Sequence, residues 1–269
     1  MNSEKEKVEN KIDKKIIISK AAAILSALIV WQIAAMILNR TILLASPLEV
    51  AARLSTLIFE DGLLSAIWFS LSRIGKGFLL GLTVGSLLAI FADRYPWAEN
   101  LIFPYMTTIK TVPVASFIVI ALIWLSAREL SVFISFLIVL PVVYNNLLSG
   151  LRSIDAKMME MATVFRYTWM QKLLYIYIPH LKPFIISACS VSIGLAWKSG
   201  VAAEIIGIPD GSLGEVLYEA KIYLNTVDLF AWTVIIVFVS VAFEKLFMLM
   251  VRKLLEHNEQ RTLDGRVNE

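Results

Sequence analysis

Side chains able to do chemistry are sparse in this chain and fall in three places. Lys110 stands among Thr107, Thr108, Thr111 and Ser116, just before Pro113, inside an otherwise apolar run. Lys198 and Glu204 interrupt a second such run. Residues 151–179, LRSIDAKMMEMATVFRYTWMQKLLYIYIP, form a polar island between two long apolar segments. A charge at the centre of a membrane helix costs about 2.5–3.5 kcal/mol on insertion scales, so it turns toward protein or water. Pro113 also frees the carbonyl of Ile109, and broken backbone at that depth is tolerated where it lines a cavity or is packed in protein. Lys110, Thr111 and Pro113 therefore either line a pathway or form a packed kink. Lys198 and Glu204, six residues apart, lie on opposite sides of a helix and need separate partners.

The chemistry that is missing narrows the function. There is no GxxxxGK[ST] phosphate loop, no HExxH and no GxSxG elbow. His180 and His257 are the two histidines and Cys189 the single cysteine, so no Cys-based metal site or disulfide framework can be assembled. The chain is not expected to be an enzyme, nor to carry a cofactor or a metal. A net charge of +3 is too small for a nucleic-acid surface.

The elements that position these residues follow from composition. Of 269 residues 58% are hydrophobic and only 17% charged, with a mean hydropathy of +0.73, which describes an all-α integral membrane protein. Apolar runs near 18–38, 63–91, 101–125, 131–150, 174–205 and 227–250 predict six transmembrane helices of about 20 residues each. They leave a charged tail at 1–17, a membrane domain at 18–250 and a charged end at 251–269. Lys5, Lys7, Lys11, Lys14, Lys15 and Lys20 precede the first run, and Arg252, Lys253, Arg261 and Arg266 follow the last. The island adds Arg152, Lys157, Arg166 and Lys172, whereas the opposite loops hold Arg40, Arg53, Arg128 and Lys221. The positive-inside bias then puts both termini and the island in the cytoplasm. Arg73 and Lys76 are expected to snorkel near the outer end of the second run.

Within the island, Met158, Ala162, Phe165 and Trp169 recur at helical spacing behind Asp155, a good N-cap. They predict one amphipathic helix of about four turns, with Pro179 at the start of the next membrane helix. The pattern leaves two readings, docking a partner or lying on lipid headgroups. Gly77, Gly81 and Gly85 form a small-residue stripe that suits close helix packing, within the chain or at a dimer seam. Residues 208–212 read as a turn before an external helix over 213–224.

These residues carry a resemblance. Glu160-Met161-Ala162, followed at a fixed interval by Ile178-Pro179, resembles the EAA signature of binding-protein-dependent ABC transporter permeases. Ser46 to Val50, Ser70 to Arg73, Pro104, Lys110 to Pro113, Arg152 to Asp155, Leu195 to Trp197 and Ala203-Glu204 look like its nitrate, sulfonate and taurine branch, over roughly residues 46–255. Two positions depart from the family pattern: Met161 replaces an alanine, and Arg166 stands where a glycine turns between two short helices. Arg166 implies either a continuous helix or a non-glycine residue taking the turn at some strain. Ser212 replaces a further glycine.

The resemblance implies a type I importer permease fold in a prokaryotic cytoplasmic membrane, with the loop 151–173 coupling to an ATP-hydrolysing partner. Asp155, Met158, Glu160, Met161, Ala162, Phe165, Arg166 and Trp169 are then the docking residues. Lys110, Thr111, Pro113, Lys198 and Glu204 are candidates for the translocation path. ATP and Mg would sit in the partner ATPase, an extracytoplasmic binding protein would deliver a small solute, and a second copy would complete a homodimer within membrane lipid. The alternative class is an ion-coupled secondary transporter, for which the two halves of the chain show no matching repeat.

Overall fold

In the computed structural model the backbone is described for residues 2–38, 40 and 42–267, and side chains for 18, 19, 21–38, 40 and 42–255. The charges of the 1–17 tail, Lys20, His257, Arg261 and Arg266 lie outside the described side chains. Every regular element among the described residues is helical: α1 (Asn2–Leu38), α2 (Pro47–Leu57), α3 (Leu63–Arg94), α4 (Pro96–Thr111), α5 (Val114–Ala121), α6 (Ala127–Arg152), α7 (Ala156–Val164), α8 (Trp169–Lys172), a π-helical turn (Leu173–Tyr177), α9 (Ile178–Gly207), α10 (Leu213–Ile222) and α11 (Thr226–Val267). Five stretches of these, at 21–38, 63–94, 127–152, 169–207 and 226–255, are long and apolar enough to cross a membrane. The third apolar run is not one straight span. It is α4 and α5, bent by 101° at their junction.

Local chemistry explains that bend. A residue before proline is pushed out of the helical region, and Val112 has φ −73° and ψ 132°. Its N–H still closes on the Thr108 carbonyl at 3.0 Å. Pro113 then supplies a preset start for α5. The hydroxyls of Thr107 and Thr108 return to the carbonyls of Phe103 and Pro104 at 2.9 and 2.8 Å, so these polar side chains are satisfied within α4.

The chain divides into two compact units, Met1–Leu63 with Glu219–Val234, and Leu64–Tyr218 with Ile235–Glu269. In the first, Ser46 caps α2 with a reciprocal box: its N–H and Oγ donate to Glu49 Oε2, both at 2.8 Å, and Glu49 N–H donates to Ser46 Oγ at 3.3 Å. The backbone hydrogen bond from Ser46 holds the Glu49 carboxyl below the ordinary range. Arg53 pairs with both Glu60 and Asp228, and Trp31 Nε1 donates to the Ala45 carbonyl at 3.0 Å.

In the second unit α3, α6 and α9 share a core. Hydrophobic burial does not drive helices together inside lipid, so close contact and hydrogen bonds carry the packing. At Gly77 a Cβ would collide with the Val132 carbonyl oxygen, and at Gly81 it would lie 2.7 Å from the Val139 side chain. The glycine stripe therefore seats α3 on α6 within the chain. Ser135 Oγ donates to the Ala196 carbonyl at 3.1 Å, joining α6 to α9. On the other side, Ile118 and Ala121 of α5 pack against Leu130 and Ile134 of α6 and Ala203 of α9.

Candidate coupling segment and membrane path

The island is two helices, not one. Asp155 caps α7 as expected, its carboxylate accepting from Lys157 N–H at 2.9 Å. After Val164 the helix stops in a Schellman motif: Tyr167 N–H donates to the Ala162 carbonyl at 2.8 Å and Arg166 N–H to that of Thr163 at 3.0 Å. Arg166 takes the left-handed position at φ 54°. This decides between the two readings of its place in the chain: a non-glycine residue accepts the turn, at a cost of about 1–2 kcal/mol relative to the right-handed region.

A second helix starts at once. Thr168 and Gln171 form a capping box, with Gln171 Oε1 accepting from Thr168 N–H at 2.7 Å and Gln171 N–H donating to Thr168 Oγ1 at 3.3 Å. The T-x-x-Q spacing at 168–171 marks this start in the sequence, and the break takes Trp169 off the stripe of Met158 and Ala162. Phe165 ends α7 and Trp169 opens α8. From Trp169 helical backbone then runs unbroken to Gly207, so the membrane helix begins before Pro179. A proline ring crowds the carbonyl four residues back, and the π turn at 173–177, closed by Ile178 N–H on the Leu173 carbonyl, widens the helix where Pro179 needs room.

The surface of this segment is apolar where it is exposed. Ala162 is fully buried, but Val164, Phe165 and Trp169 are 78%, 68% and 67% exposed, with Met158, Met161 and Glu160 also open. Arg166 is exposed beside them.

The path candidates separate into different surroundings. Lys110 and Thr111 are exposed at the end of α4, next to the bend at Pro113. Lys198 is exposed on α9 and lines a groove of about 330 Å³ with Trp197, Val201 and Ile205 of that helix and Ile236 and Ser240 of α11. Exposed Ser187, Val191 and Gly194 continue the same stripe of α9, an unusually small and polar face for lipid.

Glu204 is the opposite case, being fully buried. Ser70 Oγ of α3 donates to its Oε2 at 2.6 Å and accepts from Leu213 N–H of α10 at 3.0 Å. Ser131 of α6 and the Gly214 amide flank the same carboxyl. A Cβ on Gly214 would collide with the Glu204 Cβ, so only glycine lets α10 start this close to α9. The Ser212 hydroxyl accepts from Glu215 N–H at 2.9 Å, which explains a serine in place of glycine: it begins α10. Arg73 stacks over the Phe69 ring with its guanidinium carbon 4.2 Å from the centroid and donates to the Arg128 carbonyl.

Residues 81–257 match the family of binding-protein-dependent transport system inner membrane components. The chain belongs to this family. It is similar to a Bacillus subtilis protein named as an aliphatic sulfonates transport permease, 28% identical over 232 residues that cover 84% of this chain and 83% of that one. A nitrate import permease of Synechocystis is 28% identical over 76% of this chain and 77% of its own length. The taurine transport system permease of Escherichia coli is 24% identical over 80% of each. Among solved structures, an amino acid ABC transporter shares the fold with a TM-score of 0.54 at 18% identity, over 77% of this chain and 97% of that one. The chain is a membrane-spanning permease subunit of an ABC importer, and membership leaves the ion-coupled alternative without support.

Proposed function

We propose that this permease works as a pair of identical subunits, each lending α7 and the start of α8 to a separate ATPase. Both chain ends and α7 lie in the cytoplasm, ATP and Mg bind in the ATPase, and a binding protein delivers solute from the other side. The observation that carries this is the exposed apolar surface of α7, ended by Arg166 and followed by a capped second helix. Met158, Met161, Phe165 and Trp169 offer anchors of the kind that dominate interfaces, and Glu160 a charge to set register. The path runs past Lys110, Thr111 and Pro113 and along the Lys198 stripe of α9. Two exposed cationic side chains there, and relatives named for sulfonates, taurine and nitrate, favour a small solute bearing an oxyanion. Glu204 serves by holding α10 in place rather than by meeting solute.

Glu160→Lys tests the docking. The variant should insert normally, lose the ATPase in a pull-down and lose solute-stimulated ATP hydrolysis. Normal uptake by that variant would refute the reading.

A further inference from the structure

Arg152 and Glu99 join the end of α6 to the start of α4. Arg152 is the last residue of α6 and stands three positions before Asp155, the cap of α7; Glu99 lies in the first turn of α4. Arg152 Nη1 donates to Glu99 Oε1 at 2.6 Å, and Nη2 donates to Oε2. Such a two-point fork fixes relative orientation as well as separation. The start of α4 is also held by rings: Tyr95 and Trp97 pack with each other and with Phe91 of α3 at centroid distances of 5.1–6.2 Å. From this anchored end α4 runs 16 residues, about 24 Å, to Lys110 and the 101° bend. It is shaped as a lever. Its short arm is tied to the residue that leads into α7, and its long arm ends at the broken part of the span.

We propose that the Glu99–Arg152 pair transmits displacement of α7 into α4 and so changes the bend at Val112–Pro113. The inference rests on the docking reading of α7. Both side chains are partly exposed, and ion pairs of that kind add little to folding. Removing the pair therefore separates transmission from stability.

The test uses the full transporter in proteoliposomes, with Cys189→Ser removing the native thiol and Thr111→Cys as the reporter. Maleimide labelling at position 111 is timed without nucleotide and with ATP and vanadate. The parent should show a rate difference of about fivefold or more. Glu99→Gln and Arg152→Gln should each remove that difference while ATP hydrolysis in detergent persists, and the exchanged pair Glu99→Arg with Arg152→Glu should restore it. The proposal is overturned by no difference in the parent, by a difference that survives in both single variants, or by an exchange that fails to restore it. Failure of the docking reading is seen separately, as retention of the ATPase by Glu160→Lys.

Discussion

Ser70 and Glu204, 134 positions apart, meet in a fully buried hydrogen bond of 2.6 Å that ties α3 to α9, and the same hydroxyl receives the first amide of α10. One serine thus serves three helices. The other carboxylate oxygen, Oε1, and the buried Ser131 hydroxyl have no hydrogen-bond partner among the described residues. Buried polar groups are costly when left open, so this corner has one strong tie and one unused pair.

Ser70→Ala strips two buried groups of their partner at once and should destabilise by about 2–4 kcal/mol. Glu204→Gln should be milder than Glu204→Ala, because the amide still accepts from Ser70 and gains a donor for Ser131. Thermal unfolding in detergent checks the order. Equal midpoints for Ser70→Ala and the parent would show that the tie does not matter.

Arg166 yields a prediction of opposite sign. Arg166→Gly relieves a left-handed strain of about 1–2 kcal/mol but frees the unfolded chain by up to about 1 kcal/mol, so the net change is about 0–2 kcal/mol in favour of the fold. Coupled ATP hydrolysis should survive. Arg166→Ile adds a β-branched side chain at φ 54° and should lose most of it. Equal coupling in both variants would mean that the turn is not needed for docking.

What could be read from the chain, and what could not, divides along sequence distance. Asp155 as a cap, the broken backbone at Pro113 and the turn at 208–212 are local events, set by one or two residues, and they appear where the residue types put them. The break after Val164 was half legible: Thr168 and Gln171 signal a new helix, but an arginine in a glycine position masks the end of the old one. The pairings Ser70–Glu204, Glu99–Arg152 and Arg53–Asp228 connect positions 53 to 175 residues apart. No spacing rule reaches that far. The full burial of Glu204 depends in the same way on α3 and α10, which no local pattern brings beside it.

Packing predicts a third outcome. Gly81→Val would set a branched side chain where even a Cβ lies 2.7 Å from Val139. Overpacking of this kind costs about 1–3 kcal/mol and displaces backbone. The variant should insert into membranes yet melt earlier and resist proteolysis less than the parent. Gly194→Ala is the matched control, since a Cβ there meets nothing within 4 Å, and it should melt with the parent. If Gly81→Val did so too, α3 and α6 would not be in contact as described.

The start of α2 should respond to pH through Glu49. The Ser46 backbone amide, then its hydroxyl, lower the Glu49 pKa. A carboxyl whose folded value is depressed contributes stability above its unfolded value, about 4.3, and that contribution fades as pH falls through the folded value. Protonation removes the negative charge that the free amides of the first turn attract. Amide exchange over residues 48–51 should therefore be slow near neutrality and quicken below about pH 4, after correction for intrinsic rates. Glu49→Gln keeps an acceptor for the Ser46 amide but cannot titrate, so its exchange should be faster than the parent's near neutrality and lack the acid step. An acid step of the same size in Glu49→Gln would assign it to another group. Because Arg53, one turn further along α2, holds Glu60 and Asp228, the loosening should stay confined to the first turn rather than spread along the helix.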